Sequence, residues 1–292
     1  MKKIIKSVYR FIPFKKQLFL FLKLFWKPSK KNYQHLYFHG HFKVRIDESH
    51  YFKMKHFGFE IENDIFWCGL MNGWEKFSIQ LWMELCKKSD VIFDVGANTG
   101  LYALTAKAIN PSVKVYAFEP VRRVYDKLIQ NIILNNYDTV AVNMAASNED
   151  GFAKIYDTSH EHVLSVSVNK NLLPDNVTAQ EVQIETITLD SFIEKNNIRK
   201  IGVMKIDVEM HEPQVLEGFQ KHLSQFKPAL IIEILTDEIG EKIMQLTSGL
   251  DYLYFNIDDV KGSARQVNRL SKSDYFNYLL CSKETAKELH LI

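Results

Sequence analysis

The chain has 292 residues, 46% of them hydrophobic and 25% charged, a profile that fits a folded globular protein and excludes a disordered or low-complexity one. Lysine and arginine total 37 against 35 acids, yet twelve of those bases fall in the first 46 positions, which hold no acid; the remaining 25 bases face all 35 acids. An acidic body repels phosphate, so nucleic acid is not the expected partner.

The basic arm comes first. Residues 17–26 read Gln-Leu-Phe-Leu-Phe-Leu-Lys-Leu-Phe-Trp, too short to span a bilayer, which needs roughly 20 apolar residues. No small-residue cleavage site follows, so a signal peptide is not expected. Two readings remain. In one, residues 1–31 lie on an anionic membrane surface, with Lys15, Lys16, Lys23 and Lys27 towards headgroups and Leu18, Phe21, Leu22 and Phe25 towards acyl chains. In the other, the segment docks on the body of the protein or on a second subunit. Pro28-Ser29 ends this stretch, and residues 33–72 are aromatic and irregular, with a β-like piece at Phe42–Ile46. We take residues 1–72 as an N-terminal extension and 73–292 as the catalytic unit. Helical spacing resumes at Trp74, with Phe77, Leu81 and Leu85 aligned.

From Val91 strands and helices alternate. Strands are expected at 91–95, 113–118, 139–146, 201–207 and 228–234, with helices at 101–109, 121–136, 189–196, 213–223 and 237–247 between or after them. Residues 152–157 and 181–187 alternate like edge strands, and 252–257 and 276–281 close the pattern as two strands. Such alternation implies a Rossmann-like α/β fold, a mostly parallel sheet covered by helices on both faces. Ligands bind beyond the C-terminal ends of such strands, at the switch point beside the first. That rule selects Gly96–Gly100, Glu119-Pro120, Ser147-Asn148 and Asp207–His211.

The strongest motif is Asp94-Val-Gly96-Ala-Asn98-Thr-Gly100, set between a strand and a helix. Its glycines permit a sharp turn and close approach of a ligand. Glu119, ending the next strand, is placed to accept both hydroxyl hydrogens of a ribose. Asn98 breaks the three-glycine dinucleotide fingerprint, and Asp94 would repel a pyrophosphate. A sulfonium and an ammonium group are favoured by the same carboxylates, so local charge selects S-adenosyl-L-methionine over a nicotinamide dinucleotide.

Gly73-Trp-Glu75, Phe93–Gly100, Ala117-Phe-Glu-Pro120, Asn131–Asn135, Ala145-Ala-Ser147, Thr188-Leu-Asp190, Lys205–Glu209 and Glu212–Gly218 together resemble the FkbM family of class I methyltransferases, over roughly residues 73–282. The resemblance implies a seven-stranded sheet with an antiparallel last strand. It implies that Asp94, Gly96, Asn98 and Gly100 border the methionine part of the cofactor, with Glu119 on the ribose and Ala146-Ser147 near adenine. The expected cofactor set is Glu75, Asp94, Gly96, Asn98, Thr99, Gly100, Glu119, Pro120, Ala146, Ser147 and Asp207. One departure stands out. The family reads Asp-Val-Glu-Gly after the fourth strand, and here Met210 holds the glycine position, which would narrow the acceptor pocket or shift the turn.

The family's acceptors are hydroxyls, often on sugars. The expected reaction is therefore O-methylation of a sugar hydroxyl in a glycan or polysaccharide precursor, in one version lipid-linked. His211 has the best-matched intrinsic pKa for a base, with Asp207 and Glu209 beside the sulfonium or orienting the acceptor. A divalent metal on Asp207 and Glu209 is a less favoured variant. His35, His39 and His41 match no standard zinc spacing. Cys68, Cys86 and Cys281 form no CxxC pair, which suits reduced thiols and a cytoplasmic setting, peripheral to the inner membrane face in the membrane reading. Two other classes fit less well: a nucleotide-cofactor oxidoreductase, and a non-catalytic scaffold that binds S-adenosylmethionine without turnover.

Overall fold

The computed structural model describes residues 14–158 and 179–292; Lys2, Lys3, Lys6 and Arg10 of the basic arm lie outside the described residues. In chain order, α1 (Lys15–Leu22) and α2 (Lys30–Tyr33) precede a hairpin, β1 (Gly40–Arg45) and β2 (Tyr51–His56). Next come α3 (Glu60–Cys68) and α4 (Lys76–Lys87). The alternating region follows as β3 (Val91–Val95), α5 (Leu101–Ile109), β4 (Lys114–Phe118), α6 (Arg122–Asn135) and β5 (Val140–Val142). Then come β6 (Ala145–Ala146), β7 (Gly151–Thr158), β8 (Ala179–Ile187), α7 (Leu189–Lys195) and β9 (Val203–Ile206). The chain ends with α8 (Glu212–Glu217), α9 (Gln220–Phe226), β10 (Ala229–Glu233), α10 (Asp237–Leu246), β11 (Leu253–Asp258), β12 (Ser263–Val267), β13 (Asn277–Cys281) and α11 (Lys283–Glu288).

The main sheet runs β12-β11-β13-β10-β9-β3-β4-β5. β5, β4, β3, β9 and β10 are parallel, and β13 pairs antiparallel with both β10 and β11. This is the Rossmann-like sheet expected, with β12 added as an eighth strand at the β11 edge. Alternation along each strand splits the core in two. Ile92, Val115, Ile231 and Leu279 face one layer with α4 and α5, whereas Phe93, Phe118, Met204 and Leu230 face the other with α7, α8 and α9. Burial on both faces explains why these strands read as unbroken apolar runs.

Three local departures have identifiable causes. The strand expected at 139–146 breaks after Val142, because the Asn143 amide donates to the carbonyls of Glu119 (2.9 Å) and Pro120 (3.0 Å); Ala145–Ala146 then joins β7 and β8 in a separate three-stranded sheet. The helix expected at 213–223 divides at Gly218, where a Cβ would stand 2.0 Å from the Ser147 carbonyl oxygen. Trp74 precedes α4 and does not open it. That helix starts at Lys76, and its first N–H groups are capped from far along the chain by Asp259, which accepts from Phe77 N (2.8 Å) and Ser78 N (2.7 Å).

The extension shares the first core layer. Phe19, Phe38, Phe42, Phe66 and Trp67 form an aromatic cluster continuous with Trp82 and Leu104. The inward face of α1 is therefore Phe19, which packs on Trp67 at 5.4 Å between ring centres. Lys23, expected among headgroups, turns inward, donating to the Phe66 carbonyl and lying over its ring. No helix among the described residues is long and apolar enough to cross a membrane.

Asn131, wholly buried in α6, ties the extension to the site. Its Oδ1 accepts from Lys55 N (2.8 Å) and its Nδ2 donates to the Thr99 carbonyl (2.8 Å) in the Gly96–Gly100 loop. Asn131→Ala leaves both backbone groups unpaired and should lower stability by about 2–4 kcal/mol in urea unfolding; an unchanged midpoint would contradict this tie.

Candidate active site

The C-terminal ends of β3, β4 and β9 converge on one crevice. At Gly96 (φ +84°) a Cβ would stand 1.8 Å from the Asp207 carbonyl oxygen, so only glycine lets the loops after β3 and β9 touch. Gly100 (φ +98°) starts α5 where a Cβ would meet Leu128 at 2.6 Å. Asn98 also adopts a left-handed conformation (φ 51°), which asparagine tolerates.

Two buried carboxylates brace this loop. Asp94 accepts from Ala103 N at 2.9 Å. Glu119 accepts from Asn98 N (3.0 Å) and Val121 N (2.9 Å), which fixes its plane and leaves lone pairs for a ligand. Burial pushes both carboxyls up to about 7, against the backbone hydrogen bonds that favour their charged forms. Thr99 is buried too, and its hydroxyl has no partner among the described residues.

The crevice opens into a cavity of about 520 Å³, within the range of small-molecule sites. Of the expected cofactor set, Glu75, Asp94, Gly96, Asn98, Thr99, Glu119, Pro120, Ala146 and Asp207 line it. Gly100 and Ser147 do not; Gly100 acts behind the wall as the pivot of α5. The expected catalytic residues Asp207, Glu209 and His211 also line it. His211 Nε2 shares a 3.0 Å hydrogen bond with Ser147 Oγ, and burial lowers the pKa of its ring. Ser147 therefore acts through His211, bridging the loop after β6 to the loop after β9.

Sequence reasoning missed the polar group beside Asp207. Lys205, almost wholly buried in β9, donates to Asp207 Oδ2 (3.1 Å) and Asn277 Oδ1 (3.3 Å). Asn277 donates in turn to Glu75 (2.6 Å), which also accepts from the Tyr102 hydroxyl (3.0 Å). Burial opposes the charge on Lys205, but Asp207, Glu75 and Glu233 together more than offset it and hold the ammonium charged. Burial, with the Asp207 charge adding to it, raises the Glu233 carboxyl. The outer end of the cavity is lined by Lys30, Glu60 and Asp64 of the extension together with Trp74, just after it.

Met210 does not line the cavity. It keeps the left-handed turn (φ 78°) at which the family has glycine and packs towards the second core layer. The turn stays in register because Glu212 Oε1 accepts from both Val208 N (3.2 Å) and Met210 N (3.3 Å). A methionine in this conformation costs backbone strain of about 1 kcal/mol, and its side chain stays off the cavity wall. No group of three or more His, Cys, Asp or Glu side chains among the described residues is arranged to hold a metal ion.

The model of the methyltransferase FkbM domain matches residues 94–254, the stretch from Asp94 into β11. The chain belongs to the FkbM methyltransferase family. Among this family member's relatives, the 31-O-demethyl-FK506 methyltransferase FkbM of Streptomyces tacrolimicus is 29% identical over 160 residues, 46% of this chain and 61% of that protein. The hexuronic acid methyltransferase AglP of Haloferax volcanii is also 29% identical over 160 residues, 55% of this chain and 62% of that protein. The 2-O-methyltransferase NoeI of Sinorhizobium fredii is 25% identical over 185 residues, 59% and 74% of the two chains. The chain thus spans less than two thirds of the length of the first two relatives.

The raised carboxyls give the site a pH signature. Their neutral forms stabilise the fold at low pH, and that contribution is lost as pH rises through about 7. A cationic ligand favours the ionised forms, so one seated here, with S-adenosylmethionine as the probe, should bind with proton release and several-fold more tightly at pH 8 than at pH 6. Calorimetry in buffers of different ionisation enthalpy checks this; affinity that falls with pH, or no proton release, would contradict it.

Proposed function

We propose that this chain is an S-adenosylmethionine-dependent O-methyltransferase whose acceptor is a sugar hydroxyl. The observation that carries the reading is the cradle itself. Gly96 lies on the Asp207 carbonyl, with Asp94 and Glu119 on one side of the loop and an unpaired Thr99 hydroxyl within it. This donor set suits a ribose and a cationic sulfur and is hostile to a pyrophosphate. When bound, S-adenosylmethionine supplies an electrophilic methyl group.

The chain's own residues then position the acceptor and manage one proton. Orientation accounts for most of the acceleration, since an in-line approach is the main requirement of methyl transfer. Asp207, held by Lys205, orients the hydroxyl. Burial lowers the pKa of the His211 ring and so favours its neutral form, the form that can take the proton, contributing about 10²–10⁴-fold. Its Nε2 is engaged with Ser147, which leaves Nδ1 for the acceptor. A metal is not required by this scheme.

The sugar acceptor draws support from the hexuronic acid named for the archaeal relative. It also draws support from the exposed Trp74 ring at the mouth of the cavity, an apolar plate next to the polar Lys30 and Glu60. We place the enzyme at the cytoplasmic face of a membrane, with the basic N-terminal segment as its contact. The test is mass spectrometry of glycans from cells carrying either the native gene or a Glu119→Ala allele. Native cells should show one glycan heavier by about 14 daltons, the mass of one methylene, and the Glu119→Ala cells should lack it. Identical glycan masses in both would overturn the sugar assignment.

A further inference from the structure

Helix α1 has its inward contacts already satisfied. Phe19 is buried against Trp67 and Phe38, Lys23 is bound to the Phe66 carbonyl, and Lys15 lies over the Tyr37 ring. Its outward face is nevertheless apolar. Leu18, Leu20 and Phe21 project from the helix and Leu24 and Phe25 continue the patch in the turn after it, all exposed, while Trp26 sets its ring edge against Trp67, 6.1 Å between ring centres. Phe25 is 78% exposed and Phe21 59%, with their rings 5.3 Å apart. Five large apolar side chains within eight residues, on a segment clamped to the body and turned to solvent, mark an interaction surface.

The charge around the patch says what covers it. The first 46 residues hold no acid, and Lys16, Lys27, Lys30 and Lys31 border the exposed turn. Leucine, phenylalanine and tryptophan flanked by lysine suit the interface of an anionic bilayer, where rings and acyl chains mix and ammonium groups meet headgroups. The rest of the chain is acidic, so an anionic surface repels the body and orients the protein on this edge alone.

The position of the patch adds a consequence. Four residues after Trp26, Lys30 lines the outer end of the cavity, pairs with Glu60 at 2.7 Å and stands 6.0 Å from the Trp74 ring centre. Trp74 is itself 63% exposed. The apolar rim and the mouth of the cavity are thus adjoining parts of one edge.

We infer that α1 and the turn after it form a rigid rim that seats in an anionic bilayer and holds the mouth of the cavity at headgroup level, so that the acceptor is a lipid-linked sugar taken in sideways from the membrane. The rim stands independently of the transfer reading; only what passes through the mouth rests on it.

The test is co-sedimentation of the full chain with vesicles of phosphatidylcholine alone, or containing about a quarter phosphatidylglycerol. Binding to the anionic vesicles should exceed that to neutral ones by at least about tenfold and weaken as salt is raised. Phe21→Glu with Phe25→Glu should abolish it. Ile133→Glu, at an apolar residue 67% exposed elsewhere on the surface, should leave it intact. Affinity for S-adenosylhomocysteine, measured on the same samples, should be equal in all three proteins.

Absence of binding by the native chain, or equal binding by the double variant, overturns the rim. So does a dimer in vesicle-free gel filtration that the double variant dissociates, since a second copy would then be the occupant. Vesicle binding without any S-adenosylhomocysteine binding would sink the transfer reading and spare the rim.

Discussion

The site depends on one backbone contact, between Gly96 and the carbonyl of Asp207. Parallel pairing of β3 with β9 brings Val95 level with Ile206, so the two loops leave the sheet side by side. Any side chain at position 96 would drive them apart, because its Cβ would fall 1.8 Å from the Asp207 oxygen. The rest of the site hangs on that closeness. The Asn98 amide reaches Glu119, α5 begins where the Ala103 amide can brace Asp94, and Asp207 accepts from Lys205. A glycine here works as a spacer of zero width.

Around the contact the protein concentrates like charge in a dry place. Asp94, Glu119, Glu75, Asp207 and Glu233 face one cavity, and among the described residues that line it a single buried ammonium, Lys205, stands with them. Burial pushes the carboxyls of Asp94, Glu119, Glu75 and Glu233 up, a penalty on their charged forms. A cation would relieve it and an anion would make it worse. Lys205 cannot do so for the whole cavity, since its hydrogens are directed to Asp207 and Asn277. From outside, Asn131 fastens the extension to the Gly96–Gly100 loop, and Lys30 of the extension lines the cavity with Trp74.

Much of this was legible in the sequence because the signals are local. The apolar runs of the parallel strands, the Asp94–Gly100 turn and Glu119 at the end of its strand follow from periodicity and from the steric needs of a tight turn. What escaped depends on distant partners. Nothing near Asn143 says that its amide will take two carbonyls and end a strand, and nothing near Gly218 says that Ser147 will lie against it. Lys205 and Glu233 did leave a trace: a lysine and a glutamate inside strands otherwise apolar on both faces must be paired or face a cavity. The mixed face of α1 also misled. Its pattern is amphipathic, but the side anchored on the body is marked by Phe19 and Lys23, whose aromatic partners come from α3 and the segment before β1.

The central claim is that a carboxylate-lined cradle accepts a nucleoside bearing a positive sulfur. A crystal structure of the chain grown with S-adenosylhomocysteine and, separately, with a nicotinamide dinucleotide tests it most directly. The account requires the adenosyl ligand in the cradle, with its ribose hydroxyls within hydrogen-bond distance of Glu119 and its amino-acid end beside the Gly96–Gly100 loop. A dinucleotide with its diphosphate lodged on that loop, or an adenosyl ligand bound away from Glu119, would contradict it.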